Sequence, residues 1–201
     1  MSGKILLSTA YLPPAEYFTR LHSAEEAFIE KEENYLKQSY RNRCYILSAS
    51  GPQPLSVPVY LGSFHKTPVK EIRIDYSKRW QQVHLRAIVS AYGSSPFFLY
   101  YYEALENIIQ KNHNFLLDLN MELLLAVINM LKLNAKISFT TGFVPLNNTD
   151  IDFRYNIGPK KKSDYSPKPY IQVFSRENGF TGGLSIVDLL FNVGPESINY
   201  L

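Results

Sequence analysis

Short apolar runs and helix-spaced stripes alternate from the first residues onward. Lys4–Tyr11 reads as an apolar strand, and Pro13 and Pro14 stop it. Proline suits the first turn of a following helix, where its missing N–H is not needed. Ala15–Ser23 fits that helix, with Tyr17, Phe18 and Leu21 on one side. Ala27–Ile29 starts a second strand. A strand, a short helix and a strand within roughly 30 residues make a βαβ crossover. The two strands are then parallel neighbours. The Tyr11–Pro14 loop stands at a carboxyl edge, where open α/β sheets bind ligands.

Asn34–Asn42 is polar, aromatic and basic, with no clear period. Cys44–Leu47 and Leu55–Tyr60 predict a hairpin around a Gly51-Pro52-Gln53-Pro54 turn. Pro58 places the second of these strands at an edge or a bulge. Val69–Asp75 alternates, with Ile72 and Ile74 set against Arg73 and Asp75. Ser77 is the expected N-cap of a helix reaching Tyr92. Its stripe of Trp80, His84, Ala87, Ile88 and Ala91 faces a core, and Gly93 ends it. Ser95-Pro96 opens the next helix, striped by Leu99, Tyr102, Leu105, Ile108 and Ile109. Asp118–Leu131 is apolar on nearly all sides and predicts the most buried helix. Lys136–Phe139 is a further strand. Thr141–Pro169 is rich in Gly, Pro and Asn, holds Lys160-Lys161-Lys162, and predicts a long flexible loop at 141–169. Tyr170–Phe174 reads as strand. Ser185 and Asp188 have capping-box spacing, and Gly194 with Pro195 suits the end of that helix. The expected fold is α/β, a single domain over residues 1–201. A mixed sheet starts with a βαβ unit, and about three helices and a returning strand follow.

Composition narrows the class. Of 201 residues, 45% are hydrophobic and 19% charged, which excludes disorder from end to end. Lys and Arg number 21 against 18 Asp and Glu, a formal net charge of +3. Phosphate-neutralising proteins carry a stronger basic excess, so nucleic acid is a disfavoured partner. The lone Cys44 excludes an intramolecular disulfide and suits a reducing compartment. Ile5-Leu6-Leu7 is too short for the apolar core of a signal peptide. Leu116–Leu133 carries Asp118, Glu122 and Lys132, which argues against a membrane span. A cytoplasmic location is therefore expected. His22, His65 and His113 are scattered, and the sequence has no zinc-type Cys/His spacing, no Gly-x-Gly-x-x-Gly and no P-loop. No metal is expected, and no cofactor is indicated.

The block Asn34-Tyr35-Leu36-Lys37-Gln38-Ser39-Tyr40-Arg41-Asn42-Arg43 carries a resemblance. So do Ala10-Tyr11-Leu12-Pro13-Pro14, Ser56-Val57-Pro58-Val59, Lys66-Thr67-Pro68, Trp80 with His84 and Arg86, Ser95-Pro96-Phe97-Phe98, and Leu184–Asn192. In that order, these segments resemble the WbqC-like family of bacterial proteins, in the form similar to Bacteroidetes-type members. The resemblance implies a transferase of surface-polysaccharide biosynthesis. Its implied setting is O-antigen and other lipopolysaccharide-type gene clusters, and its implied reaction is glycyl transfer to an amino sugar. The alternative is a non-catalytic binding or scaffold protein of a polysaccharide assembly system.

The residues supply candidates for that chemistry. Lys37, Arg41 and Arg43 stand beside Asn34, Tyr35 and Asn42. Arginine grips carboxylate or phosphate with two hydrogen bonds, and lysine adds a compact charge. Asn42 can orient a carbonyl. The plain alternative is a solvated rim paired with Glu30, Glu32 and Glu33. Glu33 and His84 are the candidate catalytic bases, and Trp80 lies one helical turn from His84. Tyr11 sits on the strand-to-helix loop, where a ligand meets a helix N-terminus. The expected partner is a small anionic substrate, or a nucleotide-sugar or aminoacyl donor.

Overall fold

The computed structural model describes residues 3–60, 66–145, 151–161 and 163–201. Strand β1 (Lys4–Ser8) pairs in parallel with β2 (Glu26–Glu30), from Lys4 opposite Glu26 to Ser8 opposite Glu30. Helix α1 (Ala15–Ser23) joins them and buries Tyr17, Phe18 and Leu21, as the spacing requires. The βαβ unit is therefore present. β1 stops at Ser8, short of the expected Tyr11. There the chain turns through Leu12 (φ 41°) and the Tyr11 N–H is given to the Tyr40 carbonyl at 2.8 Å.

Strand β3 (Arg43–Ser48) and β4 (Gly51–Ser56) form the antiparallel hairpin, a separate two-stranded sheet. Its turn lies at Ala49-Ser50, not at Gly51–Pro54. Pro52 and Pro54 instead occupy alternate positions of an edge strand, where missing N–H groups interrupt no ladder. Val69–Asp75 is not a strand. Val69–Glu71 is a 3-10 turn, followed by single bridges from Ile74 to Val59 and from Arg73 to Phe115. The alternation survives as burial: Ile72 and Ile74 are buried and Arg73 is exposed.

Three helices follow: α2 (Trp80–Tyr92), α3 (Phe98–Gln110) and α4 (Leu116–Met130). Ser77 does not cap α2; its N–H donates to Asp75 Oδ1 at 2.8 Å in a turn of its own. Ser95 donates to the Tyr92 carbonyl at 2.6 Å, so it closes α2 rather than opening α3. The inward face of α3 is Phe98, Leu105, Ile108 and Ile109, whereas Leu99 is 86% exposed. Strand β5 (Lys136–Phe139) then pairs in parallel with β2, giving the order β1-β2-β5. On the outer side of β1, Leu6 N donates to the Ile151 carbonyl (2.8 Å) and Phe153 N to the Leu6 carbonyl (2.9 Å).

Residues 170–174 form no ladder. Gln172 makes side-chain bonds there instead, and the short helix α5 (Ser175–Asn178) follows. Helix α6 (Ile186–Val193) starts at Ser185 and ends at Gly194 (φ 65°), as expected. Asp188 does not close a capping box, because its carboxylate turns toward Tyr170 and Gln172. A 3-10 helix, Gly194–Tyr200, closes the described chain. His65 and Lys162, named above, lie outside the described residues. Among the described residues no helix is long and apolar enough to cross a membrane.

Candidate functional site

The carboxyl ends of β1, β2 and β5 carry a buried charged network. Arg41 grips Glu33 with two bonds, Nε to Oε1 at 3.0 Å and Nη2 to Oε2 at 2.5 Å. Its Nη2 also donates to Ser8 Oγ at 2.8 Å, at the last residue of the β1 ladder. Arg154 is held by Asp152 at 2.6 and 2.9 Å and reaches Glu30 at 3.4 Å. Glu30 also accepts from Thr140 Oγ1, which follows β5, at 2.9 Å. Both guanidiniums are thus committed to protein carboxylates. Such pairs hold segments together more than they offer charge to a ligand.

The sequence candidates separate into distinct places. Tyr11 and His84 meet in the core, with Tyr11 Oη 2.9 Å from His84 Nδ1. Trp80 meets the imidazole edge-on at 5.1 Å. His84 is 2% exposed and Tyr11 fully enclosed. Burial pushes the His84 pKa down to about 4, against a hydrogen bond to the Ser56 backbone that favours the proton. The ring is therefore neutral at physiological pH. Burial also raises the Tyr11 phenol well above its ordinary value. Glu33 lies with Arg41 in the network. Burial pushes the Tyr35 phenol up to about 12, while nearby Arg41 and Arg43 pull it down. Arg43 donates to Ser56 Oγ and Asn42 to the Val57 carbonyl, both at 2.8 Å, so these two brace β4 and its continuation. Asn34 and Lys37 are exposed.

An open cleft lies elsewhere among the described residues. A cavity of about 360 Å³ borders the first turn of α1 (Ala15, Glu16), Tyr40 and Tyr45. Its remaining walls include Lys161, Lys168, Tyr165, Tyr170, Phe180, Gly182, Gly183 and Tyr200. Glu16 accepts from Ser163 Oγ and stands 3.8 Å from Arg20. Lys168 donates to the Asn199 carbonyl at 2.6 Å. Burial, helped by Tyr45 and Glu16, pushes the Tyr40 phenol up to about 12, so it stays protonated. Tyr170 donates to Asp188 Oδ2 at 2.6 Å, and Gln172 donates to the same oxygen at 2.8 Å. That pair of bonds ties one cleft wall to α6. Burial raises the pKa of Asp188, opposed by these donors.

Tyr40 belongs to the recognisable block, where no local pattern marks it as a cleft residue, and Lys161 belongs to the segment expected to be a flexible loop. The available signal was Tyr165 and Tyr170 among lysines, an unusual content for a linker. Among the described residues no cluster of His, Cys, Asp and Glu is arranged to hold a metal ion.

Comparison with known proteins places the chain in a family. The profile of the WbqC-like protein family matches residues 9–164. The chain is 27% identical over 228 aligned positions to an uncharacterized protein of Mycobacterium tuberculosis, covering 100% of this chain and 98% of the relative. No solved structure matches.

Proposed function

The chain belongs to the WbqC-like protein family, and from that premise we propose that it is a transferase of surface-polysaccharide biosynthesis taking an anionic, activated substrate. The observation that carries this reading is the cleft of about 360 Å³ beside the first turn of α1, with Lys161 and Lys168 in its walls. A helix N-terminus favours negative charge, and two ammonium groups add to it. A cavity of this size falls within the roughly 300–1,000 Å³ of small-molecule sites.

The reaction proposed is glycyl transfer to an amino sugar. The sugar amine attacks the activated glycyl carbonyl. The C–N bond forms, the bond to the leaving group breaks, and the amine proton passes to a base. Glu16 lines the cleft and takes that role here. Glu33 and His84 are enclosed, at 0% and 2% exposure. In this reading they brace the segments that carry Tyr40 and β4. A glycine–amino sugar coupling assay tests it. Glu16→Gln and Lys161→Ala, each checked for folding by circular dichroism, should lose at least about tenfold in kcat/KM, in line with a general base or a charge contact. Full activity in both variants removes the assignment.

A second reading is a non-catalytic binding module. It is favoured by the enclosure of both bases named from the sequence. Turnover of any aminoacyl or sugar donor counts against it.

A further inference from the structure

The walls of the cleft specify more than charge. Resting on the anionic-substrate reading above, we propose that the activated substrate is a nucleotide: a base and ribose joined to phosphate. Rings line the cleft in two groups. Tyr40 and Tyr45 meet edge-on at 6.4 Å, and Tyr170 meets Phe180 at 5.3 Å and Tyr200 at 5.7 Å. Flat aromatic faces suit a base, because stacking on them needs no particular base edge. Protonated phenols supply donors and acceptors for ribose hydroxyls.

The phosphate end has its own fittings. Gly182 and Gly183 line the same cleft as Lys161. Neither of their backbone N–H groups has a partner among the described residues. Gly183 (φ +72°) is exposed, and a Cβ there would stand in open space. A Cβ at Gly182 would come within 2.7 Å of Pro167, which packs this turn tightly. Glycine backbone amides and an ammonium group lining one cleft suit a phosphate. An acyl chain would need more than Leu184 and Leu189 as its branched aliphatic wall.

Calorimetric titration of the full chain with UDP, ADP, inorganic pyrophosphate and glucose 1-phosphate tests the proposal. UDP or ADP should bind at least about tenfold more tightly than both non-nucleotide anions, the stacking contribution of one base. The tighter of the two nucleotides separates a sugar-nucleotide source from an adenylate source. Tyr45→Leu should lose about tenfold in nucleotide affinity with pyrophosphate affinity unchanged, while Tyr45→Phe retains it. Pyrophosphate or glucose 1-phosphate binding as tightly as the nucleotides overturns this inference and leaves the anionic reading standing. So does undiminished nucleotide binding by Tyr45→Leu. Failure of all four ligands to bind removes both.

Discussion

A single imidazole shows how burial changes chemistry. His84 is neutral in the fold because burial lowers its pKa to about 4, whereas an unfolded chain holds it near 6.5. Below pH 6.5 the unfolded chain takes up the proton first, so stability falls as the pH drops toward 4. Each pKa unit is about 1.4 kcal/mol. The stability gap between the wild type and His84→Gln should therefore close by about 3 kcal/mol from pH 7 to pH 4. Urea unfolding at several pH values reads that gap, and a constant gap would mean that His84 is not shielded. The Glu33–Arg41 pair carries a larger expectation. Glu33→Gln leaves a guanidinium 3% exposed and without its counter-charge. The expected loss is about 3–5 kcal/mol, and the double variant Glu33→Leu with Arg41→Met should recover most of it. A double variant as unstable as the single one would point to packing instead. The sequence placed His84 on a core-facing stripe, and that is where it lies. Its partner could not be read, because Tyr11 is 73 residues away and no local pattern marks the meeting.

Elements whose signals are local were legible, and those that depend on neighbours were not. α1 begins at Ala15 after two prolines, and α6 ends at Gly194, both as the residue types dictate. At Gly194 the backbone is left-handed, and a Cβ would stand 2.4 Å from the Phe97 ring. Gly194→Ala should cost roughly 2–3 kcal/mol, from overpacking together with backbone strain. Thermal unfolding measures this, and Phe97→Leu added to it should restore part of the loss. A Gly194→Ala protein as stable as the wild type would mean that the Phe97 ring yields freely. The hairpin turn was misplaced for a physical reason. Gly-Pro reads as a turn in isolation, yet proline is harmless on an edge strand whose outer side makes no ladder. Leu105, Ile108 and Ile109 of the expected α3 stripe pack inward, but its first inward residue is Phe98 and not Leu99.

For the whole molecule the parallel sheet is the organising fact, and its order was the least legible. β2 and β5 pair across more than a hundred residues, and Arg154 reaches back 124 positions to Glu30. Strand content can be read from local patterns; such long-range partners cannot. The cleft shares this property, since Tyr40, Lys161 and Tyr200 come from distant stretches. Arg154→Leu strips the counter-charge from Glu30 and Asp152, so a global loss of about 3–5 kcal/mol is expected. Hydrogen exchange should show β1, β2 and β5 amides opening together. Faster exchange confined to residues after 139 would make Arg154 a local clasp instead.

The bonds from Ile151 and Phe153 to Leu6 have a further consequence. An unpaired strand rim is a template on which a second chain can grow sheet, and that is a route to aggregation. Here the chain lays its own later segment along the rim of its first strand. Self-association through that side requires the cover to be peeled away first.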